Sequence, residues 1–382
     1  MIYFDNNATT QIAPEVFEAM KPFLTEFYAN PSSAYESARK TRRTIESSRL
    51  TVAEQLGASD AREVVFTSGG TESDNWAILG ALEAAPDKKH IVTTRVEHEA
   101  VRRLCEKLEK KGFQITWLEV SEKGFLDLDE LKNSLRKDTV IVSVMLANNE
   151  TGILFPVEEI ARIVKGNSGA LFHVDGVNAV GKIPVDLKNT AIDLFSVSGH
   201  KFHAPKGVGA LYIKNGVRLP PVYIGGGQEN GRRAGTEAVH QIAALGAAAE
   251  LVKDLSAMKT VRALRNKLED GVLRKIPNSR LNGTSDREMR LPNTSSVSFP
   301  NLNGELVLAK LNDAGVCVST GSACNAENHT ASPVLRAMNI PYSSAMGAIR
   351  FSLGKYNTER EVDFVLKILP KIIKEVAEFS QE

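Results

Sequence analysis

The sequence predicts an α/β fold in two parts: a large domain with a mostly parallel seven-stranded sheet flanked by helices, and a smaller α+β domain. Three observations predict it. From about residue 60 to 215, short apolar runs alternate with longer amphipathic segments, the pattern of crossover units that build a parallel sheet. One of these runs, TVIVSVMLA at 139–147, is almost unbroken in its apolar character, as a strand buried on both faces requires. After about residue 236 a long helical stretch gives way to short strands of a different texture. The 382 residues are too many for one small core. We expect the large domain over 15–255, and the smaller one built from 1–14 and 256–382.

Taken in order, EVVFTS (63–68) reads as a strand and TESDNWAILGALEAA as the helix after it. HIVTTR (90–95) is a strand followed by the helix EAVRRLCEKLEKKG, and FQITWLEV (113–120) a strand followed by DLDELKNSLRK. TVIVSVMLA leads into the helix VEEIARIVKG, and ALFHVD (170–175), DLFSVS (193–198) and VGALYIK (208–214) complete seven strands. A helical segment over roughly 237–275 opens the second part, where TSSVSFP (294–300), GVCVST (315–320) and AIRFSL (348–353) read as strands. The closing segment NTEREVDFVLKILPKIIKEVAEF is an amphipathic helix, with Thr358 and Glu361 at capping-box spacing and Pro370 expected to kink it.

Composition narrows the function. Hydrophobic residues make up 42% and charged residues 24%, an ordinary globular balance. A formal charge of +1 gives no electrostatic reason to expect nucleic acid or a membrane surface as partner. The opening MIYFDNNATTQIAPEVFEAM lacks the basic-then-apolar pattern of a signal peptide, and no run approaches the ~18 apolar residues of a membrane span. Three cysteines, Cys105, Cys317 and Cys324, are no disulfide framework, so a reducing cytoplasmic location is expected.

Four stretches fall at the carboxyl ends of expected strands, where open α/β sheets place ligands. In TSGGTESDN two glycines precede a helix starting near Thr71, so freed backbone N–H groups can face an anion; an empty tight turn would look the same. Asp175 ends an apolar strand, either as a turn residue or as a carboxylate held for a cationic partner. Lys201 follows a strand among Ser198, Gly199 and His200, and lysine forms Schiff bases when burial lowers its pKa. His98 follows another strand, a position where histidine is as often structural. An anion site, a strand-end Asp and a turn Lys on one parallel sheet are the parts that pyridoxal 5'-phosphate requires: an anchor for its phosphate, a partner for its ring nitrogen and an amine for its aldehyde.

The chain resembles the cysteine desulfurases (NifS/IscS-like), within the class V aminotransferase family of fold-type I pyridoxal-phosphate enzymes. The resemblance runs from YFDNNATT to IRFSLGKYNTEREV and rests on NPSS, FTSGGTESDN, EH, NNETG, HVDGVNAVGK, SGHKFHAPKGVGALY, GGGQENGRRAGTEAVHQ and GSAC in that order. It implies an aspartate-aminotransferase-like large domain and pyridoxal 5'-phosphate as cofactor. By the resemblance, Lys201 would join the cofactor, Asp175 pair with its ring nitrogen, and His98 stack on the ring and handle a proton. Gly70, Thr71, Ser198 and His200 would hold the phosphate, and Thr236 would reach the phosphate of a neighbouring subunit, implying a homodimer with shared active sites. Asn178 stands where the family usually has Gln beside the ring oxygen, and its shorter side chain implies a longer or water-bridged bond. Asn149 and Arg350 would hold the substrate carboxylate, and Cys324, on a loop at about 320–332, would be the sulfur acceptor. The reaction so implied takes sulfur from L-cysteine, releases L-alanine and leaves a persulfide on Cys324 for a sulfur-acceptor protein such as an iron–sulfur scaffold. Residues 325–331 are expected to be the least ordered part of that domain. A selenocysteine lyase is the near alternative, since the same chemistry cleaves a C–Se bond. A non-enzymatic paralogue binding metal through Cys317, Cys324 and His329 is the distant one, with a cysteine spacing unlike that of zinc sites.

Overall fold

The computed structural model describes residues 1–321 and 330–379. Cys324 and His329 therefore lie outside the described residues, as does most of the stretch 325–331. The chain opens with a two-residue strand, β1 (Ile2–Tyr3). All seven strands expected of the larger sheet are present: β2 (Val64–Thr67), β3 (His90–Thr94), β4 (Gln114–Leu118), β5 (Thr139–Met145), β6 (Leu171–Asp175), β7 (Leu194–Ser198) and β8 (Gly209–Ile213). Their spatial order is β2-β8-β7-β6-β5-β3-β4. The pairs from β4 across to β7 are parallel, and only β8 runs against its neighbours, β2 and β7.

The unbroken apolar runs are explained by which face each residue meets. Successive side chains on a strand point to opposite faces. Val92, Val142, Phe195 and Tyr212 enter one core cluster, and their immediate neighbours Ile91, Ile141, Leu194 and Leu211 enter another. Both faces of the sheet are thus covered. The helices Gly70–Ala84 and Glu99–Glu109 lie on the second face, where Trp76 and Cys105 are buried with them. Cys105 is a packing residue there, and burial pushes its thiol up to about 12.

The second sheet is antiparallel and built from β9 (Arg280–Leu281), β10 (Thr294–Ser298), β12 (Ser319–Thr320) and β13 (Ala348–Ser352), in the order β12-β13-β10-β9. A further strand, β11 (Val316–Cys317), pairs in parallel with β1. Phe4 packs in the core of this unit with Leu268, Val297, Phe351 and Val365, so the amino terminus joins residues from the carboxyl-terminal third of the chain. Among the described residues, no helix is long and apolar enough to cross a membrane.

Two details depart from the sequence expectation. The helical stretch 237–275 is two helices, Val239–Leu251 and Ser256–Lys275. Just before the second helix, the Asp254 carboxylate accepts from the Ser256 N–H at 2.8 Å and from the Ser256 hydroxyl at 2.8 Å. The expected strand 315–320 is divided because the chain changes partner, Cys317 lying opposite Tyr3 and Ser319 opposite Arg350. Pro370 sits inside one continuous helix, Glu359–Phe379. The Leu366 carbonyl, which a proline at 370 cannot satisfy, accepts from Lys275 Nζ at 3.2 Å instead. The Thr358–Glu361 capping box is formed, with the Thr358 N–H donating to Glu361 at 2.7 Å and the Glu361 N–H to the Thr358 hydroxyl at 3.4 Å.

Candidate active site

The larger sheet delivers its functional side chains at its carboxyl edge. After β2 the chain turns at Gly69, whose φ of 146° suits glycine, and enters the helix Gly70–Ala84. A side chain at Gly70 would meet Val177 Cγ2 at 2.7 Å, so this turn lies hard against the segment after β6. β6 ends at Asp175, a buried carboxylate accepting from the Val177 N–H at 2.9 Å. β7 ends at Ser198, and one tight turn, Gly199–Lys201, brings Lys201 back over the sheet. Lys201 Nζ donates to the carbonyls of Asn7 at 2.6 Å and Ala8 at 2.9 Å. After β3 comes His98, which caps the helix Glu99–Glu109 by accepting from the Ala100 N–H at Nδ1, 3.2 Å away.

The second sheet closes the other side. Arg350, on β13, donates to Asp5 Oδ1 at 2.7 Å and to the Asn149 carbonyl at 3.0 Å. Its Nε is buried with no partner among the described residues. Between the two sheets lies a cavity of about 370 Å³. Gly70, Thr71, His98, Asn149, Asp175, Asn178, Ser198, His200, Lys201 and Arg350 all line it. Ten of the twelve candidate residues read from the sequence are therefore brought together. Thr236 is not among them; it is exposed, outside this cavity. Cys324 falls outside the described residues, while Gly321, three residues before it, lines the cavity.

The floor of the cavity is acidic. Asp74, Asp175 and His98 bring one polar atom each to within 4.8 Å of one another. Burial raises Asp175 above the usual carboxylate range, and His98, the Val177 N–H and Lys201 oppose that rise. Asp74 is raised well above the range by burial, then by Asp175 and Glu97. Glu97 is pushed up to about 8, mainly by burial. Burial lowers His98, with Asp175 working against it and Lys201 with it. His200 is lowered to about 4 by burial and neighbouring lysines. His173, bonded between the hydroxyls of Ser143 and Ser196 at 2.9 Å each, is lowered to about 3 by burial and is neutral at pH 7.

Sequence reasoning missed several residues at this site. Asn7 and Ala8 seat Lys201, and Asp74 and Glu150 line the cavity. Glu150 accepts from the Ser332 hydroxyl at 2.5 Å, and burial raises it to about 7. Asn7 and Glu150 lay within stretches that carried the resemblance, YFDNNATT and NNETG, which was the available signal.

Residues 2–365 match the model of the aminotransferase class-V family. The chain belongs to that family. It is 50% identical to a cysteine desulfurase of Trichormus azollae over 382 residues, covering 100% of this chain and 94% of the relative. It is 46% identical to the cysteine desulfurase NifS of Azotobacter vinelandii, covering 99% and 94%. Among solved structures, a NifS-like protein aligns with a TM-score of 0.91 at 41% identity, covering 98% of this chain and 99% of that one. A structure described as SspA in complex with cysteine aligns at 0.83 and 32% identity, covering 94% and 100%. The seven-stranded, mostly parallel sheet is the class-V architecture that the sequence predicted.

Proposed function

We infer that this protein is a cysteine desulfurase that removes sulfur from L-cysteine and releases L-alanine. One observation carries the reading. A lysine, a buried carboxylate and a guanidinium converge on one cavity, in a chain half identical along its whole length to proteins named cysteine desulfurase.

The residues present fit pyridoxal 5'-phosphate. The helix Gly70–Ala84 offers unbonded N–H groups at its start, beside Thr71, Ser198 and His200, for a phosphate. Asp175 suits a protonated ring nitrogen, whose positive charge would offset the burial that now raises it. Asn178 Nδ2 is buried and has no partner among the described residues, a donor in want of an acceptor. When bound, the cofactor supplies an electron sink for negative charge at the substrate Cα.

The chain's own residues supply the rest. Arg350 and Asn149 hold the substrate carboxylate, with Nε the arginine donor still to be satisfied. Lys201 would hold the cofactor through its amine and would move the substrate Cα proton at Nζ. His98, kept neutral by burial, would lie against the ring and would accept a proton. Cys324, as thiolate, attacks the substrate sulfur, forming the persulfide S–S bond as the substrate C–S bond breaks, and passes the sulfur to an acceptor protein. Thr236, exposed in the single chain, would reach the cofactor phosphate of a second subunit in a homodimer. The units 15–255 and 1–14 with 256–382 act as the two walls of the site.

Turnover decides the reading. Purified protein with pyridoxal phosphate should release equal alanine and sulfide from L-cysteine in the presence of a thiol. Alanine from L-selenocysteine alone would make it a selenocysteine lyase. A protein that stays colourless with the cofactor and turns over neither substrate would rule out both.

A further inference from the structure

Lys182 has no part in the mechanism above, yet it is buried behind Asn178 and Asn7, two residues that line the cavity. Its Nζ donates to Asn178 Oδ1 at 2.6 Å, to the Asn178 carbonyl at 3.0 Å and to Asn7 Oδ1 at 3.3 Å. No carboxylate lies within ion-pair distance of it among the described residues. A buried cation without an acidic partner is expensive, so its oxygen ligands need a reason. Three acceptors match the three hydrogens of an ammonium group.

The contact fixes something an asparagine cannot fix alone. The two ends of an amide are nearly the same shape, and orientation is set by what each end meets. An ammonium only donates, so the end of Asn178 facing Lys182 must be oxygen. Nδ2 is then the end left over, and it is buried without a partner in a residue that lines the cavity beside Asp175 and Lys201. Asn7 is locked in the same way: its Oδ1 accepts from Lys182 and from Asn293 Nδ2, and its own Nδ2 donates to Thr294 Oγ1 and the Asn149 carbonyl.

We propose that Lys182 is a positioning residue: it clamps the Asn178 amide so that Nδ2 is presented to an anionic oxygen acceptor in the cavity. Resting on the reading above, that acceptor is the ring oxygen of pyridoxal phosphate beside its aldehyde. The clamp gives Asn178 a fixed donor despite its short side chain. Burial lowers Lys182, and Lys201 and Arg350 add to that, so the three oxygen acceptors are what favour its ammonium form against its surroundings.

The test reads the cofactor's visible absorption against pH in the loaded protein, without turnover. A donor to the ring oxygen favours the form in which that oxygen shares no proton, so losing it raises the midpoint of the spectral change. Lys182→Met should move the midpoint up by about one pH unit, the scale of one hydrogen bond to a charged group. Asn178→Ala should move it about as far, and K182M added to N178A should move it no further. Lys201, Arg350, His200 and His203 interact with Lys182 and remain in every variant, so they cannot account for a difference between the single and double changes. Lys182→Ala serves in place of the methionine variant if that does not pack. A midpoint unmoved in K182M and K182A, or one that moves equally with and without Asn178, overturns the clamp. Wild-type protein with no visible band overturns the cofactor reading itself and the clamp with it.

Discussion

Replacing Glu97 by Gln should remove a pH dependence that the fold builds into the acidic floor of the site. Glu97 Oε1 accepts from the Thr94 hydroxyl at 2.7 Å and the Met145 N–H at 3.1 Å, while Oε2 is buried with no partner among the described residues. Its ordinary value of 4.5 rises to about 8 in the folded chain. Between those values the native state keeps a proton that the unfolded chain has released. Stability contributed by this group is therefore full below pH 4.5 and is lost as pH rises to about 8. One proton corresponds to a slope of up to ~1.4 kcal/mol per pH unit across that window. The Gln side chain keeps the accepting oxygen and cannot ionise, so the slope should fall by about one proton's worth. Asp74, Asp175 and Glu150 are raised too and will leave a residual slope of the same sign. The assay is urea unfolding of cofactor-free protein from pH 5 to 9. It would be followed by the fluorescence of Trp76 and Trp117, the two tryptophans of the chain, both in the larger sheet unit. The variant should gain on the wild type as pH rises. Parallel stability curves for the two proteins would refute the reasoning, because Glu97 would then ionise alike folded and unfolded.

Lys201→Ala should abolish the visible band formed with pyridoxal phosphate and all turnover, checked by absorbance and alanine release. Cys324→Ser should keep the band and still change its spectrum with L-cysteine, yet form no protein persulfide by mass spectrometry; undiminished sulfide release would remove Cys324 from its role. In Gly209→Ala the new methyl would lie 2.3 Å from the Val197 carbonyl and 2.7 Å from Gly69 Cα. It should destabilise the larger sheet unit by about 1–3 kcal/mol and, through Gly69, weaken retention of the cofactor phosphate. Unfolding midpoints and cofactor dissociation would show both.

The larger sheet was legible because each of its strands carries an apolar run that ends at a turn. Since both faces are covered, no alternation was needed to find β5 or β7. Site residues were legible where a strand end supplied the position, as for Asp175, Ser198 and Lys201. What stayed hidden was set by packing between distant segments. Asp74 and Lys182 are polar residues that a sequence assigns to solvent, and only the completed core shows that both are buried. Asn7 lies 194 residues from the lysine it seats, a separation no local pattern encodes.

The amino-terminal strand explains how two sheets make one site. Asp5 bridges to Ser352 on β13 and holds the Arg350 guanidinium, the group proposed to meet the substrate carboxylate. Two and three residues later the Asn7 and Ala8 carbonyls seat Lys201, the lysine proposed to hold the cofactor. The Asn7 amide joins both, through Lys182 on one end and the Asn149 carbonyl on the other. Acid groups Asp74, Glu97 and Asp175 gather under the cavity, while Lys182, Lys201 and Arg350 donate to neutral carbonyls or amides, and Arg350 donates to Asp5 as well. In the proposed reading, Arg350 is the group that meets the substrate carboxylate and Lys201 the one that meets the cofactor.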